Sequence, residues 1–218
     1  MGRNPIYHLL EARRPEWGDV DGMPLALRFQ SDEHERQAVR TLALCDVSSL
    51  PKIGVKGPDA DHWLASRGID VPPALFDAQR LPDGGVIARV GGDDFLLESG
   101  PTGETVAAIA AALDVATGRI VHIDRQEAAF LLAGSRALEV LLQTCGINFA
   151  EAVAGRLVMT RVAAVSCGVL PEVADDLPLF RIWVDCSYAV YLWETLAAIC
   201  EELGGSIVGA ACLGFRPE

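Results

Sequence analysis

Paired carboxylates are the first groups in this chain whose type and spacing suit chemistry. Asp93-Asp94 and Asp175-Asp176 each set two acids side by side, as general acid–base work requires. Both pairs also stand where turns are expected, and adjacent aspartates in turns are commonly solvated, so the turn role is the stronger reading. The six cysteines (45, 145, 167, 186, 200 and 212) contain no C-x-x-C pair, and the four histidines (8, 34, 62 and 122) share no metal-ligand spacing. Cys145, Cys186 and Cys200 sit in apolar or helical patterns, where cysteine behaves as a small buried hydrophobe. There is no G-x-G-x-x-G after a strand, no phosphate loop and no G-x-S-x-G elbow. The glycines of GGDD (91–94) read as hairpin residues supplying positive φ. Trp17, Trp63, Trp183 and Trp193 are expected to pack rather than to form a stacking platform.

The elements that must position these residues are written twice. KIGVKGPDADHWLASRGID (52–70) can be laid beside AFLLAGSRALEVLLQTCGIN (129–148), each a short apolar strand, a glycine turn at Gly57 or Gly134, a helix, and Gly-Ile-Asp or Gly-Ile-Asn. Ala60, Trp63 and Leu64 share one face of the first helix, as do Ala137, Leu138, Leu141 and Leu142 of the second, with Gly68 and Gly146 expected to close them. The first copy continues into strands Val86–Val90 and Phe95–Glu98, then a helix that Thr102 would cap, with Val106, Ile109, Ala110 and Leu113 inward. The second continues into an apolar run, Leu157–Val169, and then FRIWV, where Phe180, Ile182 and Val184 alternate with Arg181 and Trp183. A long helix follows, with Ala189, Leu192, Trp193, Leu196, Ile199 and Leu203 inward and Gly204 at its end. Residues 72–85 and 171–178 read as loops, and Ser31 caps an extra helix over Asp32 to Leu44.

This order predicts an α+β fold of two similar β-α-β-β-α halves with helices on one sheet face. The expected division is an N-terminal arm and helix (1–50) packing on the first half, a first half (51–118) and a second (119–218). With 218 residues, 50% hydrophobic, the chain can bury a core without disulfides or metal. The net charge of −12 argues against nucleic acid, whose phosphates demand lysine and arginine, and against anionic membranes. No apolar run approaches the roughly 20 residues that span a bilayer. The N-terminus lacks a secretory pattern, so a cytoplasmic location is expected.

The order of several motifs resembles the folate-dependent aminomethyltransferase known as the glycine-cleavage T-protein. The resembling residues are Pro5-Ile6-Tyr7-His8, Gly22-Met23-Pro24-Leu25, the helix leading to Asp46-Val47-Ser48-Ser49, KIGVKGPDADHWL and GGVIARVGGDDFLL. GSRALEVLL, FRIWV leading to Tyr191-Leu192-Trp193, and the final GFRPE keep the outline in the second half. T-proteins continue beyond the matched portion. A chain of this length is similar to the small gamma subunit of heterotetrameric sarcosine oxidases.

The resemblance implies a folate-binding fold and three site residues. Asp83 stands near the family's acidic position and would accept paired hydrogen bonds from an amino-pyrimidine edge, although in PDGG it also suits a plain turn. Glu172 ends Gly168-Val169-Leu170-Pro171-Glu172, which keeps only the outer residues of the family's G-Y-T-G-E. Arg216 matches a family arginine and would pair with a folate glutamate tail. The family's G-A-R-D arginine is absent, since Gly-Ala-Ala-Cys-Leu stands there. Three readings follow: an auxiliary subunit of a folate-linked N-methylamine oxidase or demethylase, a small enzyme that itself uses tetrahydrofolate, or a scaffold of the same fold without folate. The first implies larger flavoprotein and folate-domain partners, with flavin only in the partner.

Overall fold

The computed structural model describes residues 4–101, 103–113 and 118–215. The first part of the chain forms α1 (Tyr7–Glu11), β1 (Glu16–Val20), β2 (Met23–Arg28), α2 (Asp32–Thr41) and β3 (Ala43–Asp46). There follow β4 (Lys52–Lys56), α3 (Ala60–Ser66), β5 (Ala78–Arg80), β6 (Val86–Gly91), β7 (Asp94–Glu98), α4 (Glu104–Leu113) and β8 (Val121–Asp124). The remainder is β9 (Ala128–Ala133), α5 (Ala137–Thr144), β10 (Val158–Val162), β11 (Val165–Ala174), β12 (Leu177–Val184), α6 (Ala189–Glu202) and β13 (Ser206–Ile207). The class is α+β, as the duplicated pattern predicts.

Two compact units result. Leu50–Gln126 with Gly155–Leu157 carries a five-stranded sheet in the order β5-β6-β7-β4-β8. Its core joins Ile53, Val55, Ile87, Phe95 and Leu97 from one sheet face to Leu64 of α3 and to Val106 and Ile109 of α4. The other unit, drawn from Met1–Ser49, Glu127–Ala154 and Val158–Glu218, carries a six-stranded sheet in the order β10-β11-β12-β9-β3-β13. Phe130, Leu132, Phe180 and Ile182 there face Val140 and Leu141 of α5 and Leu192, Trp193 and Leu196 of α6. Apart from β13 the two sheets have the same strand order.

In each sheet the central strand of the repeat takes an antiparallel neighbour that leads, in the chain, into the other sheet. β3 runs directly toward β4 yet pairs with β9, Leu44 opposite Leu132. β8 runs directly toward β9 yet pairs with β4, Ile123 opposite Gly54. The expected grouping of residues 1–50 with the first half is therefore corrected: 1–49 belong to the compact unit of the second half, because β3 completes that sheet and Leu44 fills its core.

The two helix starts are built alike. Gly57 N–H donates to Asp93 O at 2.8 Å and Gly134 N–H to Pro178 O at 3.0 Å, while their carbonyls accept from Ala60 and Ala137. Both adopt positive φ (135° and 108°). A side chain on Gly57 would run into the carbonyl of Arg119, which leads into β8; one on Gly134 would run into that of Thr41, which leads into β3. Each glycine thus lets the incoming segment pass close to the turn.

Other expectations shift. The helix after Ser31, whose side chain accepts from His34 N–H, ends at Thr41 rather than Leu44, because residues 43–46 pair as β3. The loop at 72–85 contains β5. The run 157–169 divides into β10 and β11 at Ala163-Ala164, and 171–178 is hairpin rather than loop, turning at Asp175-Asp176. All four of these turn residues have positive φ, as two-residue hairpin turns require. Gly146 does not close α5: the helix stops at Cys145 in an extended conformation. Gly68 and Gly204 do adopt the left-handed conformation expected of them. Cys186 is exposed, not buried, and Leu142 is exposed despite its place in the apolar spacing. Thr102 lies outside the described residues.

Candidate functional site

Asp83 sits in the turn between β5 and β6, half-buried, where the chain must reverse over Pro82-Asp83-Gly84. Its Oδ1 accepts from Gly85 N–H at 3.0 Å and its Oδ2 from Thr105 N–H at 3.2 Å. The carboxylate therefore ties the turn to the first turn of α4, where a negative charge is favoured. Each oxygen has a second lone pair. The end of β7 lies tight against this turn, since a side chain on Gly100 would strike the Asp83 carbonyl. Next to Gly100, Ser99 is 1% exposed and its hydroxyl is buried without a hydrogen-bond partner. Asp83 thus keeps lone pairs for a polar ligand edge, while the Ser99 hydroxyl after β7 is enclosed.

Glu172 lies on β11 in the other compact unit, 8% exposed, with Oε2 3.0 Å from Nε of Arg181 on β12. Leu170 is opposite Arg181 and Leu179 opposite Glu172, so the pair spans the ladder diagonally on the sheet face away from the α5–α6 core. Arg181 is 2% exposed, although strand alternation in FRIWV presents it as an outward residue. A buried arginine needs a carboxylate, and Glu172 supplies one. Arg216 lies outside the described residues.

Three further buried polar groups escape a reading of the sequence. Lys52 Nζ lies 3.5 Å from Glu98 Oε2 across β4 and β7, both fully enclosed; a lysine and a glutamate at strand ends give no hint of burial. Asn4 donates to Asp46 Oδ2 at 2.7 Å and to Ser49 Oγ at 3.0 Å, fixing the N-terminal arm to the end of β3. Asp46-Val47-Ser48-Ser49 carried a signal, being polar residues directly after an apolar strand. Glu35, 1% exposed, accepts from the N–H groups of Phe29 (2.6 Å), Gln30 (3.0 Å) and Gly209 (3.1 Å). That carboxylate locks the turn before α2 onto the segment after β13.

The buried thiols offer no ready nucleophile. Burial pushes Cys45 well above the ordinary thiol range, Cys167 to about 11, and Cys200 and Cys212 to about 12. These four stay protonated at neutral pH. Among the described residues no group of three or more His, Cys, Asp or Glu side chains is placed to hold a metal, and no helix is long and apolar enough to cross a membrane.

No family model matches the chain. Among curated proteins it is similar to the aminomethyltransferases of Moorella thermoacetica (25% identical over 223 residues, 94% of this chain) and Saccharopolyspora erythraea (26% over 229 residues, 96% of this chain). It spans 60% and 61% of those proteins. The Bacillus velezensis aminomethyltransferase is 34% identical over 104 residues, 44% of this chain. The fold matches the glycine-cleavage aminomethyltransferase T of Bartonella henselae with a TM-score of 0.78 at 20% identity, over 97% of this chain and 60% of that one. It also matches a chain of the heterotetrameric sarcosine oxidase of Corynebacterium sp. U-96, TM-score 0.65 at 18% identity, over 94% of this chain and 97% of that one. The chain has the glycine-cleavage T-protein fold, with a further likeness to sarcosine oxidase.

Proposed function

We propose that this chain is a T-protein-like subunit in tetrahydrofolate-linked one-carbon metabolism, working as the small component of a sarcosine-type N-methylamine oxidase or demethylase assembly. The observation that carries the reading is the Glu172–Arg181 pair: the second acidic position is neutralised inside its own sheet rather than left for a ligand. Asp83 remains as a carboxylate with lone pairs for a folate edge, and one such position suits an auxiliary chain better than a stand-alone transferase. The likeness over 97% of a chain belonging to a heterotetramer supports the assembly part of the reading.

Tetrahydrofolate would supply the one-carbon carrier. Where it meets this chain, Asp83 would accept from an amino-pyrimidine edge. Arg216 is the proposed partner of the glutamate tail. Flavin belongs to a larger partner chain, and a cytoplasmic location goes with such an assembly.

Two measurements test the reading together. Gentle purification of the tagged protein from its source is expected to yield an assembly with a flavin-bearing chain, heavier than 23.3 kDa. Calorimetric titration of the isolated chain with tetrahydrofolate is expected to show weak binding that Asp83→Ala weakens further by about one to two decades. A lone monomer that oxidises or demethylates a methylated amine with folate would overturn the subunit reading in favour of a small independent enzyme.

A further inference from the structure

The α5–α6 layer covers the sheet face opposite the one that carries Glu172 and Arg181. The two helices run antiparallel side by side. Arg136, just before α5, donates through Nη1 to Leu203 O beyond the end of α6 at 2.6 Å. At the opposite end Ala163 N–H donates to Thr144 O at 2.8 Å, and Ala163 O accepts from Tyr191 Oη at 3.2 Å. At this second end four large side chains stand in solvent: Leu142 (59% exposed), Ile147 (43%), Tyr188 (54%) and Tyr191 (52%). Tyr188 and Tyr191 are three residues apart across the start of α6 and so share one side of it. Clustered exposed apolar and aromatic residues of this kind mark interaction sites, and tyrosine is enriched at their energetic centres.

The charged residues carried by α5, α6 and the segments that follow each helix are acidic. Residues 137–155 and 182–215 contain no lysine or arginine; their charged residues are Glu139, Glu151, Asp185, Glu194, Glu201 and Glu202. Glu139 and Glu201 pair with Arg136 and Arg13. Asp185, Glu194 and Glu151 remain as an acidic rim at the tyrosine end. The nearest strand arginine, Arg161, alternates with the core residue Val162 and so lies on the sheet face away from the helices.

We infer that this end of the α5–α6 layer is covered by a partner chain presenting an apolar surface edged with lysine and arginine. The inference rests on the subunit reading above and deepens it by naming the docking face and the chemistry it selects. A second copy is the poorer occupant. It would bring the same carboxylate rim against this one, and like charges across an interface oppose association.

The test uses the assembly purified from the source organism, with wild-type chain or with chain carrying Leu142→Asp and Tyr188→Asp. Both side chains are exposed and neither makes a hydrogen bond that holds the fold, so the melting temperature of the isolated variant is expected to match wild type. The assembly is expected to weaken about 100-fold and release the 23.3 kDa chain. Glu194→Lys serves as a second probe: against a basic rim it weakens association about tenfold, with the loss fading as salt rises. An assembly indifferent to both variants overturns this inference and leaves the subunit reading standing. A wild-type chain that is monomeric in its source overturns both. A wild-type homodimer that Glu194→Lys tightens overturns the choice of partner.

Discussion

The two compact units share a strand order and a helix start yet spend their polar residues differently. Asp59, directly before α3, and Arg136, directly before α5, occupy equivalent places with opposite charge. Asp59 reaches forward to Arg119 in the segment that enters β8, Oδ1 to Nη2 at 2.8 Å. Arg136 instead binds Glu139 on its own helix and the Leu203 carbonyl. Inside the sheets, one unit sets Lys52 directly opposite Glu98, whereas the other sets Glu172 diagonal to Arg181. The duplication therefore retained backbone geometry and left side-chain charge free to diverge. That is expected where strand order rests on pairing and apolar faces rather than on ion pairs.

The largest expected effects test the shared geometry. Gly57→Ala and Gly134→Ala each put a Cβ against a backbone carbonyl at positive φ, and each should destabilise its unit by about 3 kcal/mol or more. Urea midpoints measure this. Full tolerance of either change would end the claim that the two turns are equivalent.

The buried pairs come next. Arg181→Met removes the guanidinium that faces the buried Glu172 carboxylate and should cost about 3–5 kcal/mol, whereas Arg181→Met with Glu172→Leu should recover most of the loss. Lys52→Met is expected to act likewise on Glu98. Denaturant unfolding of the single and double variants decides it, and a double variant no better than the single would show that the pair does not act as a unit.

Glu35→Gln ranks third. The carboxylate holds three backbone donors, and an amide presents an NH2 group to one side of that cluster, so about 1–3 kcal/mol should be lost. Hydrogen exchange at Gly209 is the local readout. Unchanged protection there would remove Glu35 from its structural role.

The smallest effect belongs to the diverged helix starts. The hydrogen bond from the Arg119 side chain, followed by that from its backbone, holds the exposed Asp59 carboxyl below its usual 3.8; Arg136 acts likewise on Glu139. A lowered folded value means the contribution is fully present above the unfolded value and is lost as pH falls through the folded one. Asp59→Asn should therefore leave neutral-pH stability nearly unchanged and flatten its acid dependence below about pH 4. An acid limb identical to wild type would show that the ion pair does not persist in solution.

Much of this fold is legible in the sequence because local chemistry agrees with tertiary structure. The glycine turns, the Ser31 cap and the buried stripes of α4 and α6 obey ordinary periodicity. Legibility fails where both sheet faces are buried: β11 then shows no alternation, that of β12 presents the buried Arg181 as outward, and the turns at Ala163-Ala164 and Asp175-Asp176 lack the glycine that usually marks such a reversal. The β1–β2 hairpin did carry a signal, since Asp21-Gly22 takes positive φ at both residues between two strand-forming runs. For the candidate site, Asp83 and Glu172 could be nominated by motif position. Their partners could not, because Thr105 and Arg181 meet them only through pairing and packing.

The crossing of β3 and β8 between sheets also bears on how the chain is made. During synthesis β3 emerges long before β9, its principal pairing partner. The segment from Leu50 to Gln126 can close its own sheet as soon as β8 is out, apart from the edge contact of β5 with residues near Arg156. Ribosome-bound fragments should thus acquire protease resistance in the middle of the chain first, with the N-terminal arm still waiting for strands not yet translated.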